Sequence, residues 1–385
     1  MRRITIMLAS LALFVGCDAN STGPEVRVAG DVARADPVGV RVLTRNVYVG
    51  DDIESVLAAT NPALIPLLVA QSFADVQATN FFERAEALAD EIHADAPHLV
   101  GLQEVSLFRL QSPGDFLIGN PQAAETVVLD YLQILLDALA ARGLSYVVAA
   151  TSTNFDFEVP MATPGGLDDI RLTDFDVVLA RSDVPISDAG SQNFAINLPV
   201  NLGGVPLLIR RGWAWADVTV NGRNVRFVNT HLEPATPGGV LIPELEQIQL
   251  AQLGELLGFL AGTSRPVILT GDFNSAADGS STSTYAEVLE SGFVDAWTIG
   301  RPRGDGFTAN QDPDLANPAS KLFQRIDFVF YRDAFTARRG RIRGAVQAKV
   351  VGGDPTDRTP SGLWPSDHAG VSVTLHLAPR RGLAE

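Results

Sequence analysis

Apolar positions along the chain follow two rhythms. Alternating or continuously apolar runs at 38–46, 98–104, 146–150, 175–181, 213–220, 224–230, 266–269 and 325–331 predict strands, and 366–371 opens a last one. Helical spacing predicts helices over 81–93, 123–142 and 243–261. In the first of these, Glu83, Arg84, Glu86, Asp90 and Glu91 are expected to form a solvated face with an apolar stripe behind it. Asn221-Gly222 is a strong signal for a tight turn joining the strands at 213–220 and 224–230. The Gly-rich apolar stretch 193–208 predicts a second hairpin, placed to overhang a site or touch lipid, and the proline-broken run 64–69 reads as core rather than as a lid. Residues 151–176 carry Asp156, Glu158, Asp168, Asp169, Asp174 and Asp176 without the ligand spacing of a calcium loop, so a solvated surface loop is expected there.

The strands share an oddity at their ends. Asn46, Glu104, His231, Asp272, Asn274, Asp327, Asp367 and His368 each stand at the end or edge of an apolar run. The stretch Leu269-Thr-Gly-Asp-Phe-Asn-Ser275 shows what this could mean. Asp272 can orient or deprotonate water or bind a metal, and Asn274 can donate to a phosphoryl oxygen, although alone the pair is ordinary turn chemistry. Eight such residues spread over more than three hundred positions suggest one shared mouth.

Composition narrows the partners. The chain has 385 residues, 46% of them hydrophobic, enough for a large core, and after residue 37 no Pro/Gly/Ser linker cuts it. With 29 basic against 45 acidic side chains, net −16, it lacks the positive charge that neutralises duplex phosphates, which favours a small or lipid phosphoester over nucleic acid. Met1-Arg2-Arg3 followed by the short apolar run 4–16 predicts a secretory signal over 1–17. Cys17, the single cysteine, excludes an intramolecular disulfide and sits as in the lipobox of a bacterial lipoprotein, which it resembles. The expectation is an exported protein, secreted or tethered to the cell envelope through acylated Cys17, with a flexible spacer over 18–37 and a domain over 38–378.

The order Thr-Arg-Asn46, Leu-Gln-Glu104, Asn-Thr-His231-Leu, Gly-Asp272-Phe-Asn274, Arg-Ile-Asp327-Phe and Ser-Asp367-His368 resembles the endonuclease/exonuclease/phosphatase superfamily of DNase I-like phosphoesterases. The resemblance runs from about residue 38 to 377; the Gly-Asp-Phe-Asn and Ser-Asp-His motifs are its specific part. It implies a four-layer α/β/β/α sandwich, two packed mixed β-sheets flanked by helices, with the site where the sheets meet. It also implies Mg²⁺, with Mn²⁺ as the other candidate, held by Glu104 with Asn46 and Asp367 in reach. Oxygen donors without thiolates or clustered histidines suit such a hard cation and argue against zinc. By the same resemblance Asp327 orients His368, Asp272 and His368 share the activation of water, His231 contacts a phosphoryl oxygen or protonates the leaving group, and Asn274 positions the phosphate. Arg211 is a candidate substrate contact, and no acidic partner for His231 is identifiable. The expected activity is metal-dependent hydrolysis of phosphate esters by direct water attack, on lipid headgroups or small soluble esters. An extracellular nuclease and a non-catalytic binding protein on the same fold are the alternatives, and a monomer is expected.

Overall fold

The computed structural model describes residues 39–377 except 335 and 343; the signal segment, Cys17 and the spacer lie outside the described residues. The chain opens with β1 (Gly39–Asn46), then α1 (Glu54–Leu57), α2 (Ile65–Ala78) and α3 (Phe81–Asp95). β2 (Leu99–Gln111), β3 (Thr126–Asp130) and α4 (Tyr131–Ala141) follow, and lead to a long hairpin of β4 (Tyr146–Thr163) and β5 (Gly166–Arg181). Next come β6 (Ile186–Asn193), β7 (Leu198–Leu202), β8 (Val205–Ile209), β9 (Gly212–Val220) and β10 (Arg223–His231). The last third holds α5 (Pro243–Ala261), β11 (Val267–Asp272), α6 (Thr284–Glu290), β12 (Val294–Asp295), α7 (Ala296–Gly300), β13 (Asp327–Arg332), α8 (Thr336–Arg339), β14 (Gly344–Val351) and β15 (Gly370–Leu377).

Two mixed sheets result. One runs β14-β15-β1-β2-β5-β4 with β3 on β2, the other β12-β13-β11-β10-β9-β6; β7 and β8 pair separately. Val40 and Val42 of β1, Ala214 and Ala216 of β9, Phe227 and Ile268 fill the space between the sheets. Phe73, Leu88, Leu135 and Leu139 cover the outer face of the first sheet, and Leu253, Leu256, Leu260 and Val288 pack on Phe328 and Phe330 outside the second. The layer order is therefore helix, sheet, sheet, helix, the sandwich expected from the sequence. Among the described residues no helix is long and apolar enough to cross a membrane.

Four local expectations need correction. Residues 151–176 are not a loop: β4 and β5 pair along almost their whole length. Their acids hid the alternation because they have specific partners, such as Arg171 with Asp156 at 2.5 Å and Asp169 accepting the Phe116 N–H at 2.8 Å. The predicted helix at 123–142 starts only at Tyr131, where Asp130 accepts the Gln133 N–H at 3.0 Å; the β-branched residues before it pair with β2. In α3, Arg84 and Glu91 are buried rather than on the solvated face. The proline of 64–69 opens α2 instead of breaking it, since a first-turn N–H has no helical partner to lose. Ile65 and Val69 of that helix are core, whereas Leu67 is 61% exposed.

Candidate functional site

Strand direction explains why the polar ends converge. β1 runs parallel to β2, and β10 parallel to β11, so Asn46, His231 and Asp272 end their strands toward one end of the sandwich; Glu104 lies inside β2, which runs on to Gln111 instead of stopping at 104 as expected. β13 and β15 run antiparallel to their neighbours, so their beginnings, Asp327 and the Asp367-His368 pair before Gly370, lie at that same end. Register places His231 opposite Asp272, and Asp272 opposite Asp327. At this end the Asn46 side chain joins the two sheets: its amide nitrogen donates to Glu104 Oε1 at 2.8 Å and to Asp272 Oδ2 at 3.2 Å.

Local backbone distortions aim these groups. Between Leu102 and Val105 the β2–β5 register slips, and Glu104, at φ 58, turns its carboxylate out of the ladder, where Oε2 accepts the Val49 N–H at 3.0 Å. Tyr48 and Asn274 also have left-handed backbones, at φ 61 and 47. Gly271, at φ +148, passes so close to β10 that a Cβ would collide with the Thr230 carbonyl. Just beyond it Asp272 Oδ1 accepts the Asn274 N–H at 2.8 Å.

His368 Nδ1 lies 2.9 Å from Asp327 Oδ2, and His368 Nε2 lies 3.8 Å from Asp272 Oδ2. Burial opposes the imidazolium, but Asp327 and Asp367 outweigh it and hold the ring's pKa well above its ordinary value. Asp272 is pushed up to about 7, by burial first and by Asp327 second, with His368 pulling the other way. Asp367 is raised to about 6, by burial and then by Glu104, against the pull of His368.

His231 has a different environment. Arg211 Nη1 stands 3.0 Å from its Nδ1, and Asn274 Nδ2 stands 3.2 Å from its Nε2 while also donating to Leu232 O at 2.9 Å. Burial, then Arg211 and His368, hold its pKa well below the usual value, so the ring is neutral. A guanidinium only donates, so Nδ1 accepts and the ring proton belongs on Nε2. Nε2–H and the Asn274 amide then form adjacent donors suited to a single oxygen. Arg211 is backed by Glu233 at 3.7 Å and faces the imidazole; it does not project as a free substrate contact.

Two acids lie beside His231 without a hydrogen bond to it: Asp272 Oδ2 is 3.7 Å from Nε2, and Oδ1 of Asp176, on β5, which sequence reasoning did not single out, is 3.9 Å from Nδ1. Fully buried, its pKa is raised well above normal by desolvation and by Asp174. Asp174 itself is raised to about 7 by burial, and accepts the Asn154 amide at 3.1 Å. The only signal for these residues was the alternation of the 151–181 stretch, which their charges obscured.

A hard divalent cation fits this chemistry. The buried carboxylates of Asp272 and Asp327 and the half-buried ones of Glu104 and Asp367 crowd one another, and Asp327 Oδ1 has no hydrogen-bond partner among the described residues. Asp272, Asp327 and His368 offer ligand atoms within 4.8 Å of one another, but the bond between Asp327 and His368 already occupies two of those groups; Glu104, whose oxygens accept from Asn46 and Val49, and Asp367 add further oxygen donors. Asn46 does not match its expected part as an oxygen ligand: its Oδ1 accepts the Tyr48 N–H at 2.9 Å, and its nitrogen faces the carboxylates. A separate surface cavity of about 580 Å³, lined by Trp297, Arg303, Phe307 and Lys349, includes none of these residues.

The Endonuclease/Exonuclease/phosphatase family model matches residues 70–368. No curated protein matches the chain. Among solved structures, an endonuclease/exonuclease/phosphatase family protein from Leptotrichia buccalis is 17% identical with a TM-score of 0.51, covering 87% of this chain and 98% of that one. A Bacteroides thetaiotaomicron protein of the same family is 16% identical with a TM-score of 0.53, over 87% and 94%. A mannosyl-6-phosphatase from that organism is 16% identical with a TM-score of 0.52, over 87% and 99%.

Proposed function

The chain belongs to the endonuclease/exonuclease/phosphatase family, whose members hydrolyse phosphoesters, and on that footing we propose that it is a divalent-metal-dependent phosphoesterase acting on lipid headgroups or small soluble esters. The observation that carries this reading is the Asn46 amide bridging Glu104 to Asp272 beside the His368–Asp327 pair, an arrangement drawn from five chain segments. A Mg²⁺ or Mn²⁺ ion held by Glu104 and Asp367 would neutralise charge on the phosphoryl group.

The protein's own groups divide the remaining work. Asp272, with a pKa near 7, is the base that takes a proton from the attacking water. His368, kept protonated by Asp327, donates to a phosphoryl oxygen, and His231 Nε2–H with the Asn274 amide grips another. Water oxygen bonds to phosphorus as the ester P–O bond breaks, and the leaving oxygen departs with the electron pair. The net charge of −16 supports a small or lipid ester over a polynucleotide. A Cys17 tether would keep the enzyme beside a membrane, in keeping with a lipid substrate.

A phosphate- and headgroup-release screen over sphingomyelin-type lipids, small diesters, sugar monophosphates and a polynucleotide, each with Mg²⁺ or Mn²⁺ and with chelator, tests this. Release that chelator abolishes, and that Asp272→Ala and His368→Ala each lower by at least roughly 10²-fold, is expected. Cleavage of the polymer alone would overturn the substrate preference; variants within a few-fold of the parent would overturn the assigned roles.

A further inference from the structure

Two arginines in the wall behind the site, Arg45 and Arg84, are completely buried. A guanidinium withdrawn from water is tolerated only when its donors are used. Arg45, on β1, forms a fork with Glu91 of α3 at 2.9 and 3.0 Å, and its Nη1 also donates to the main-chain oxygens of Asn46, at 3.3 Å, and His368. Gly352 leaves the space for it: a Cβ there would lie 2.5 Å from Arg45 Nη2.

Arg84, on α3, uses carbonyls instead. Nε donates to Thr79 O at 2.8 Å, Nη1 to Val47 O at 2.6 Å and Pro365 O at 3.2 Å, and Nη2 to Tyr48 O at 3.2 Å. The Phe81 ring lies 4.9 Å from its guanidinium carbon. Among the described residues no carboxylate comes within ion-pair distance of it, although Asp367 acts on it electrostatically.

The captured carbonyls belong chiefly to two segments, 46–48 leaving β1 and 365–368 approaching β15. The first carries Asn46, the second Asp367 and His368. Apart from Asn46 at the end of β1 and one bridge from His368 to Ala309, neither segment has a strand ladder to hold it. The Ser366 hydroxyl, donating to Asn46 O at 2.8 Å, also ties them together.

We infer that Arg45 and Arg84 form a clasp on these main-chain carbonyls that fixes Asp367 and His368 against Asn46. The two arginines are then positioning residues for the hydrolysis proposed above, and the inference rests on that reading only for its catalytic part. Geometry is what they supply: a reacting group displaced by about 1 Å can lose about 10²-fold in rate.

Amides report the clasp directly. Asn310 and Gln311 N–H donate to Asp367 O at 3.2 and 3.0 Å, His368 N–H to Ser366 Oγ at 3.1 Å, and Ala369 N–H to Thr308 O at 2.6 Å. Two full-length variants are informative. R45M/E91M removes fork and partner together, so neither charge is left alone in the interior. Arg84→Lys keeps the charge but replaces the planar fork with a point donor on a flexible stem.

Hydrogen exchange of the four amides, exchange of β11 amides and steady-state kinetics are measured on parent and variants. Expected are four site amides exchanging at least about tenfold faster, β11 amides unchanged, and kcat down about 10²-fold with KM within about threefold. Parent-like protection at the four amides, or equal acceleration throughout both sheets, would overturn the clasp. Parent-like kcat in a variant whose site amides are freed would overturn its catalytic part. A parent without phosphoester turnover would count against the hydrolase reading alone, and the exchange data would still decide the clasp.

Discussion

Replacing Asn229 by alanine should loosen the seam between the two sheets. Asn229 is fully buried on β10, yet its side chain reaches the other sheet: Oδ1 accepts the Gln103 amide at 2.5 Å, and Nδ2 donates to Leu102 O at 2.7 Å and Val177 O at 3.2 Å. Gly101 makes the approach possible, since a Cβ there would stand 2.5 Å from Asn229 Oδ1. Three hydrogen bonds at about 1 kcal/mol each set a floor near 3 kcal/mol, and stranding the Gln103 donor and two carbonyls raises the cost toward about 5 kcal/mol. At roughly 2 °C per kcal/mol for a large domain, the melting midpoint should fall by about 6–10 °C. Equilibrium urea unfolding of the parent and Asn229→Ala measures the free energy, and Asn229→Asp, which keeps the acceptor but loses the donor, should lie on the destabilised side as well. A loss below about 1 kcal/mol would mean that the polar seam is no anchor and that apolar packing alone holds the sheets.

Millimolar Mg²⁺ or Mn²⁺ should raise the melting midpoint by about 5 °C at a hundredfold excess over Kd, through about 2.7 kcal/mol of linkage, and Glu104→Gln/Asp367→Asn should abolish the rise. An unchanged midpoint in the parent would count against a cation in the carboxylate cluster. His98 makes a pH prediction. Its pKa is lowered from 6.5 to about 4 by burial, then by Arg181 and Arg41, and its neutral Nδ1 accepts the Arg41 N–H at 3.0 Å. The unfolded chain therefore binds the extra proton, so this contribution is complete above pH 6.5 and is lost as pH falls from 6.5 to 4. Urea midpoints at pH 7.5, 5.5 and 4.5 should fall less steeply in His98→Gln than in the parent; parallel slopes would refute the assignment.

Sequence legibility followed the physics of each element. Apolar strands ending in a polar residue were readable because burial imposes their composition, and α5 is found at the predicted residues. The long β4–β5 hairpin was not, because its acids are satisfied across the hairpin, as Asp156 is by Arg171, or by backbone N–H groups far off in sequence, as Asp169 is by Phe116. Arg84 and Glu91 read as surface charges because helical periodicity reports which face a residue occupies but not the distant carbonyls or arginine that satisfy a charge there. The nearness of Asp176 to His231 was hidden for the same reason, since it approaches from the opposite sheet. Asn46 was found by its place at a strand end, whereas its orientation depended on the Tyr48 N–H that captures its oxygen.

The left-handed backbone at Glu104 sets two local costs against each other. A non-glycine residue held there carries on the order of 1 kcal/mol of strain, which glycine would relieve. Glycine would also take the acceptor away from the Asn46 amide and the Val49 N–H, at about 1 kcal/mol apiece. Laboratory evolution for heat resistance alone should therefore keep a side-chain acceptor at position 104 in spite of the strain.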